Sequence, residues 1–336
     1  MSRIAIIGAG AWGTALSIVL GRRGAHKVCL WAYENEVCRS IVEYRRNNLF
    51  LSDCEIPTDV EVTNDLGIVL HSAEIVLSVM PSHHVRSLFR LMAPQLNADM
   101  LLVSATKGIE NETLKRMSEI IEDIVAESCR FAPRVAALSG PSFAKEVARG
   151  DPTAITVASK DGKLATEIQR EFSDQSFRVY TNDDVIGVEL GGSLKNVIAI
   201  AAGVVEGLGL GHNTAAALIT RGLAEITRLA VACGARRETM AGLAGMGDLV
   251  LTCTGGLSRN RTVGVELGRG RKLREIMAGM RGMVAEGVLT TDAAMGLAQR
   301  YSIEMPITEQ IYAILHEEKS PKDAIRELMG RPGKVE

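Results

Sequence analysis

The sequence lacks the features that mark nucleic-acid-binding, metal-binding and membrane-spanning proteins. Its formal net charge is only -2, so no basic field favours nucleic acid or an anionic membrane. The six cysteines are scattered, and none stands in a C-x-x-C pair or another metal-ligand spacing. We therefore predict reduced thiols, no metal site and a cytoplasmic location. Met1 leads directly into an apolar run, and every run of membrane-spanning length has glycine or polar interruptions, so we expect neither a removable leader nor a transmembrane helix.

The sequence does contain enough apolar material for two domains. The chain has 336 residues, of which 46% are hydrophobic, and roughly 150 residues is a usual domain size. Before residue 182, short apolar runs alternate with helix-length amphipathic stretches, and the predicted strands are 4–7, 28–31, 75–79, 101–104, 135–138, 154–157 and 177–180. Strands that alternate with helices predict a doubly wound parallel sheet of the Rossmann type.

After residue 182 the pattern becomes helical. The predicted helices are 185–205, 214–233, 262–267, 273–280, 292–300, 308–317 and 322–328. The turn Asn182-Asp183-Asp184 is suited to cap the first of them. We therefore predict an α/β domain over residues 1–182, followed by an all-α domain over residues 183–336.

Lys195 is an unexpected charge in the predicted helix 185–205. Glu189 is the only other charged residue of that helix and lies roughly 240° around it at about 100° per residue, so the two side chains cannot pair. Lys195 shares its face with Gly191, Ala199 and Ala202, and such small residues let a backbone or a ligand approach. Since lysine is almost never buried alone, Lys195 either serves a site, extends to solvent or meets a carboxylate from elsewhere.

The first apolar run ends in a glycine-rich loop of the kind that binds dinucleotides. Gly8-Ala9-Gly10-Ala11-Trp12-Gly13 fits G-x-G-x-x-G between a predicted strand and a predicted helix, which is the context the motif needs. Gly8 permits the tight turn, Gly10 lets the backbone approach a pyrophosphate, and Gly13 allows close packing of helix and strand. Free N–H groups at the helix N-terminus then meet the negative charge. The alternative is a glycine turn without a ligand.

The end of the second predicted strand should distinguish NAD from NADP. NAD sites usually place an acidic residue there, whereas NADP sites often use arginine. This chain has Leu30-Trp31-Ala32-Tyr33-Glu34, with neither residue directly at the strand end. Tyr33 could stack or hydrogen-bond, and Glu34 would disfavour a 2′-phosphate only if it pointed inward. The cofactor is therefore predicted as NADP or NAD, without a preference.

Further polar clusters stand where predicted strands end or helices begin, the places at which open α/β sheets bind ligands. They are Lys107, the turn 139–142, Asp248 and the run 258–261. Ser258 could cap a helix that begins near Thr262, and the hydroxyl, guanidinium and amide gathered there suit a phosphate. The alternatives are a surface lysine at 107, a solvated helix start at 258, and for Asp248 a structural partner of a buried cation such as Lys195.

These residues lie in blocks that resemble the bacterial NAD(P)-dependent glycerol-3-phosphate dehydrogenases. The blocks are GAGAWGTAL, SATKGIE, SGPSFAKEVA, RVYTNDDVIGVELGGSLKNVIAIAAG, NTAAALITRGLAE, GLAGMGDLVLTCT, LSRNR and SIEMPITEQIY. They follow in order from end to end, which is far more specific than one glycine motif. The resemblance implies an oxidoreductase that reversibly reduces dihydroxyacetone phosphate to sn-glycerol 3-phosphate, the backbone precursor of glycerophospholipids.

The resemblance also implies a role for each matching residue. Lys195 matches the residue that gives and takes the proton. The implied substrate contacts are Lys107, Gly140, Ser142, Lys195, Asp248, Ser258, Arg259 and Asn260. The implied cofactor contacts are Trp12, Lys107, Ala144, Arg259, Val284 and Glu286. The glycine motif and the end of the second strand add Gly8, Gly10, Gly13 and Tyr33. The first domain would hold the cofactor and the second would supply Lys195.

Two departures from the family pattern concern the cofactor. Ala11 stands where a serine is frequent, so one hydrogen bond is missing, and Ala32-Tyr33 lacks the basic residue of NADP-preferring members. The implied partners are a small-molecule substrate and a second copy of the chain in a homodimer, with no nucleic acid and no stable membrane insertion.

Two rival functions fit parts of the sequence. One is another dehydrogenase, acting on a hydroxy acid or a nucleotide sugar; a two-step alcohol oxidation would need a nucleophilic cysteine. Cys253 is the candidate near the polar clusters, but its apolar run LVLTCT favours a core position. The other rival is an inactive NAD(P)-binding sensor, which would need neither Lys195 nor the phosphate cluster.

Overall fold

The computed structural model describes residues 1–280 and 285–333. The chain divides into two compact units. The first unit comprises Met1–Lys107 and Lys115–Glu189, and the second comprises Gly108–Leu114 and Leu190–Glu336. The domain boundary at residue 182 stays a prediction; this residue is the last one of the final strand.

The first unit is built on a sheet of eight strands. These are β1 Ser2–Ile7, β2 His26–Trp31, β3 Glu61–Thr63, β4 Ile75–Ser78, β5 Leu101–Ser104, β6 Arg134–Ser139, β7 Thr153–Ala158 and β8 Phe177–Asn182. Their order is β3-β2-β1-β4-β5-β6-β7-β8, and all neighbours are parallel except β6 and β7. The predicted strands all exist; β3 was not predicted, because three residues are too few to show an alternating pattern.

Helices cover both faces of this sheet. They are α1 Ala11–Arg22, α2 Asn35–Tyr44, α3 Leu66–Leu70, α4 Val85–Met92, α5 Met117–Ser128, α6 Ala144–Arg149 and α7 Gly162–Phe172. Successive strand residues point to opposite faces, so Ile4 and Ile6 of β1 join one apolar cluster with α1, α6 and α7. Ala5 and Ile7 join the other with α4 and α5. This arrangement confirms the predicted doubly wound fold.

The second unit is helical throughout its described residues after 189. The remaining helices are α8 Val185–Gly207, α9 His212–Ala232, α10 Arg237–Met240, α11 Asp248–Thr254, α12 Arg259–Gly268, α13 Leu273–Gly279, α14 Glu286–Tyr301, α15 Pro306–His316 and α16 Pro321–Met329. Of these, α8 is long and apolar enough to cross a bilayer, but 94% of its apolar window is buried inside the protein. It is therefore a core helix, as predicted.

The start of α8 is fixed by two carboxylates. Asp184 accepts a hydrogen bond from the Gly187 amide at 2.9 Å, which confirms the predicted cap. Glu189 accepts bonds from Arg116 Nη1 at 2.6 Å and from the Ser118 amide at 2.8 Å. Burial raises the pKa of the Glu189 carboxyl, and the nearby Arg116 opposes that rise. Glu189 is thus engaged with α5 and leaves Lys195 to other partners.

Reciprocal glycine contacts hold α8 against α12. A Cβ on Gly203 would overlap the Arg261 carbonyl oxygen, and a Cβ on Gly264 would overlap the Ile200 carbonyl oxygen. Only glycine permits backbones to approach so closely. The close packing fixes the start of α12 relative to the segment of α8 that carries Lys195.

Candidate active site

The predicted glycine loop connects β1 to α1 in the first unit. Gly8 has a φ of +121°, and a Cβ on it would overlap the Val79 carbonyl oxygen. A Cβ on Gly13 would overlap the Gly8 carbonyl oxygen, whereas a Cβ on Gly10 would meet nothing within 4 Å. The fold therefore requires Gly8 and Gly13, and the space at Gly10 leaves the backbone open to a ligand.

Trp12, at the start of α1, carries an unsatisfied donor. Its ring centroid lies 6.4 Å from that of Phe177. Its Nε1 atom is buried without a hydrogen-bond partner among residues 1–280 and 285–333. Buried polar atoms are normally satisfied, so such a donor indicates an acceptor that the protein does not supply. The open glycine loop and this donor fit a dinucleotide.

The end of β2 leaves the cofactor preference open. Tyr33 is 78% exposed, and its ring centroid lies 6.0 Å from that of Trp31. Glu34 is the N-cap residue of α2, but its side chain makes no capping hydrogen bond. Tyr33 is therefore accessible to a ligand, while nothing at this strand end selects between NAD and NADP.

Three predicted substrate residues of the first unit lie together. Lys107 follows β5, and its Nζ atom donates to the Gly140 carbonyl oxygen at 3.0 Å. The Ser142 hydroxyl donates to the same oxygen at 2.9 Å. Gly140 has a φ of +142°, and its missing Cβ would lie 2.9 Å from the Cα of Ile155. By contrast, Ala144 packs against the apolar cluster of this unit as the first residue of α6.

Lys195 is buried in the second unit beside a carboxylate. Its Nζ atom lies 3.0 Å from Oδ1 of Asp248 and donates to the Thr252 hydroxyl at 2.6 Å. That hydroxyl donates in turn to the Asp248 carbonyl oxygen at 2.6 Å. Lys195, Asp248 and Thr252 are 6%, 1% and 4% exposed. The side chain thus does not extend to solvent, and Asp248 contacts it directly.

A π-helical turn places Asp248. Leu243–Gly247 forms this turn, and α11 begins with the next residue, Asp248. The turn packs on α8 one helical turn before Lys195, where a Cβ on Gly191 would lie 2.7 Å from the Ala244 carbonyl oxygen. The small face predicted around Lys195 therefore receives a backbone at Gly191. Such single π turns inside helices are frequent at functional sites.

The predicted phosphate cluster forms the start of α12. Ser258 caps the helix, and its hydroxyl accepts from the Arg261 amide at 3.2 Å. The helix begins at Arg259, so the predicted start near Thr262 is wrong: the cap sets the first turn, whereas the apolar pattern begins only at Val263. Asn260 donates to Asn196 Oδ1 at 2.9 Å, which links the cluster to the residue after Lys195.

Arg259 and Glu286 influence each other in the second unit. Desolvation lowers the pKa of the Arg259 guanidinium and Glu286 opposes this shift, although the residue as a whole is exposed. Glu286 is the first residue of α14, and the next amide, of Gly287, donates to Asn260 Oδ1 at 2.9 Å. Val284, the other predicted cofactor residue of this segment, lies outside the described residues.

Two polar residues that contact the predicted site residues of the second unit were not predicted: Thr252 and Asn196. Thr252 contacts the Lys195 ammonium, and Asn196 contacts Asn260. The spacing of Asp248 and Thr252, one helical turn apart on α11, was the available signal, since such pairs share a helix face. Asn196 had no signal apart from being next to Lys195.

Cys253 lies beside the same charges but is an inert thiol. It is 4% exposed. Burial raises the pKa of the Cys253 thiol to about 12; Lys195 lowers this pKa and Asp248 raises it, each by less than burial does. A thiol with so high a pKa is neutral and weakly nucleophilic at neutral pH, so this geometry does not favour a cysteine-dependent oxidation.

This chain combines a dinucleotide-binding fold with a buried lysine–carboxylate pair. The two features together are typical of one class of proteins, the NAD(P)-dependent oxidoreductases. Two family models match the chain. The model described as the NAD-dependent glycerol-3-phosphate dehydrogenase N-terminus matches residues 3–165, and the one described as its C-terminus matches residues 184–326.

Relatives and a solved structure agree with these matches. A Koribacter versatilis protein named glycerol-3-phosphate dehydrogenase (NAD(P)+) is 70% identical over 336 residues, with coverage of 100% of this chain and 99% of the relative. An Acidobacterium capsulatum protein of the same name is 56% identical, with full coverage of both chains. The crystal structure of glycerol-3-phosphate dehydrogenase from Coxiella burnetii is 42% identical, with a TM-score of 0.92 and coverage of 98% and 99%.

The chain therefore belongs to the NAD(P)-dependent glycerol-3-phosphate dehydrogenase family. The family, the oxidoreductase class and the use of NAD or NADP were all predicted from the sequence blocks and are confirmed. The roles of individual residues remain predictions.

Proposed function

We propose that this chain interconverts dihydroxyacetone phosphate and sn-glycerol 3-phosphate, with Lys195 as the group that gives and takes the proton. The buried contact of Lys195 with Asp248 and Thr252, at 3.0 and 2.6 Å, carries the proposal. Reduction of the ketone adds a hydride to carbon and a proton to oxygen, and an ammonium within hydrogen-bond reach of that oxygen supplies the proton. Asp248 holds the ammonium in one orientation in both directions of the reaction.

The phosphate of the substrate is assigned to the start of α12. Ser258, Arg259 and Asn260 gather there a hydroxyl, a guanidinium and an amide, and the helix N-terminus adds partial positive charge. A phosphate held at this point orients the rest of a small substrate, and this binding energy favours reaction at the carbonyl. The Asn260–Asn196 hydrogen bond supports the proposal that neighbouring residues of one unit bind the phosphate and the carbonyl end of the substrate.

Lys107, Gly140 and Ser142 are proposed as the substrate residues of the first unit. Lys107 and Ser142 both donate to the Gly140 carbonyl oxygen. Their donor groups are therefore gathered at one point. In the proposed reaction Lys107 stabilises negative charge that develops on the substrate oxygen.

The dinucleotide supplies or accepts the hydride when bound. Gly8, Gly10, Trp12 and Gly13 would hold its pyrophosphate, and Tyr33 lies at the strand end that meets the adenosine ribose in this fold. Ala144, Arg259, Val284 and Glu286 are proposed as further cofactor contacts on the family resemblance. We also propose a cytoplasmic homodimer without stable membrane insertion. Light scattering of the purified chain tests the oligomer, and the mass of a monomer would contradict it.

The activity is tested by following the absorbance of reduced nicotinamide as dihydroxyacetone phosphate is added. Oxidation of NADH or NADPH is expected, and the ratio of the two rates gives the cofactor preference. Dihydroxyacetone is the matched control because it lacks only the phosphate, and a 2-keto acid represents the rival class of dehydrogenase. No oxidation with either cofactor, or equal rates with and without the phosphate, would contradict the assignment.

A further inference from the structure

Asn47, which is not one of the site residues named above, contacts the glycine loop through buried hydrogen bonds. It lies in the connection between α2 and β3 and is fully buried, as is Thr14 of α1. Its Nδ2 atom donates to the Ala9 carbonyl oxygen at 2.7 Å and to the Thr14 hydroxyl at 2.8 Å. Its Oδ1 atom accepts from the Phe50 amide at 3.1 Å. Both hydrogens and the oxygen of the amide are therefore engaged.

These contacts fix the orientation of one peptide group in the glycine loop. In a trans peptide the C=O and N–H bonds point in opposite directions. The Ala9–Gly10 peptide is trans, and its carbonyl is drawn inward to Asn47. The Gly10 N–H therefore points away from Asn47, and a Cβ on Gly10 would meet nothing within 4 Å. Gly10 itself, which has no side chain, would otherwise allow several orientations of this group.

We propose that Asn47 is a positioning residue for the dinucleotide: it preorganises the Gly10 N–H as a donor to the pyrophosphate. The Thr14 hydroxyl is its partner, since it accepts from Asn47 and ties the loop to the first turn of α1. An amide suits this position, because it donates to both the Ala9 carbonyl and the Thr14 hydroxyl and also accepts from the Phe50 amide. This inference rests on the dinucleotide binding of the proposed function, which the wild-type affinity for NADH tests separately.

The test is the dissociation constant of NADH, measured by fluorescence titration without substrate. Asn47→Ala removes all three hydrogen bonds, and Asn47→Asp keeps an acceptor for Phe50 but loses both donors. Each variant is expected to weaken NADH binding by at least about tenfold, since the buried Ala9 carbonyl keeps only the longer contact from the Thr14 hydroxyl, at 3.4 Å. ADP-ribose, which keeps the pyrophosphate and lacks the nicotinamide, should bind more weakly by the same factor, and kcat at saturating cofactor should stay close to wild type.

Gln169→Leu is the matched control. Gln169 also donates its amide to a buried backbone carbonyl, that of Val179 at 2.8 Å, but away from the loop. It should lower the melting temperature without changing the NADH affinity. Three results would each overturn the proposal. The first is equal weakening of NADH binding in Gln169→Leu, and the second is an affinity within about twofold of wild type in folded Asn47 variants. The third is weaker binding of NADH without weaker binding of ADP-ribose.

Thr14→Val decides the matter if both Asn47 variants fail to fold. Valine has the shape of threonine, so the packing of α1 is kept while Nδ2 of Asn47 loses one acceptor. A rise in the NADH dissociation constant of about threefold is expected. An unchanged constant would contradict the positioning role.

Discussion

Lys195 Nζ and Asp248 Oδ1 lie 3.0 Å apart in the interior of the second unit. The lysine comes from the long core helix α8, and the aspartate begins α11 directly after the π-helical turn that packs on Gly191. A buried ammonium needs such a partner, because an unpaired charge in the interior is strongly destabilising. In the proposed reaction the same contact holds the ammonium in place for proton transfer, so we expect stability and activity both to depend on it.

Asp248→Asn tests both roles. Asparagine keeps an acceptor for Lys195 but not the negative charge, so we expect a fall in kcat of at least about tenfold and a loss of roughly 3 kcal/mol in unfolding free energy. Steady-state kinetics and urea unfolding measure the two effects. The control is Asp53→Asn, which breaks the exposed pair with Lys145 and should change neither quantity. Wild-type kcat and stability in Asp248→Asn would contradict the account.

Arg259→Ala tests the phosphate site at the start of α12. Loss of the guanidinium should raise the KM for dihydroxyacetone phosphate by at least about tenfold, because charge-assisted hydrogen bonds to phosphate are among the stronger ones. Arg269, which follows the same helix and pairs with Glu266 in solvent, supplies the control Arg269→Ala. An unchanged KM in Arg259→Ala, or the same increase in both variants, would show that the phosphate binds elsewhere.

Cys253 tests the rival two-step oxidation. Burial raises the pKa of its thiol to about 12 and that of Cys29 to about 11, so both should resist iodoacetamide in the native protein near neutral pH. Mass spectrometry of the native and the unfolded protein measures the protection. Cys253→Ala should keep kcat within about threefold of wild type. Inactivation that keeps pace with modification of Cys253 would support the rival mechanism instead.

The burial of His26 predicts that the folded protein loses stability in weak acid. Burial lowers the pKa of its imidazole, while a hydrogen bond to the Glu171 carbonyl opposes the shift. Below about pH 6.5 the unfolded chain therefore takes up a proton that the folded chain does not, so unfolding becomes easier as pH falls toward the lowered pKa. His26→Gln, which can still donate to Glu171, should flatten the fall in unfolding free energy between about pH 7 and pH 5. The exposed His71→Gln is the control, and equal slopes in His26→Gln and wild type would refute the prediction.

The parts predicted from sequence are those with a local signal. The glycine loop stands between a strand and a helix, α8 is a long apolar run, and Ser258 is a good helix cap. The parts missed depend on contacts between distant segments. The contact of Thr252 with Lys195 forms only because α11 packs against α8. Strand β3 is only three residues long, and the antiparallel pairing of β7 with β6 depends on how the chain returns to the sheet. Asn47 lies 33 residues from Thr14 in an irregular connection, so no periodicity could connect them.

The central claim is that Lys195 moves the proton, and Lys195→Ala tests it most directly when turnover and NADH affinity are measured on the same preparation. Loss of a positioned acid should lower kcat by about 10² to 10⁴. The NADH dissociation constant should stay within about twofold of wild type, because the glycine loop is untouched. Near-normal turnover in Lys195→Ala would contradict the proton-transfer role of Lys195.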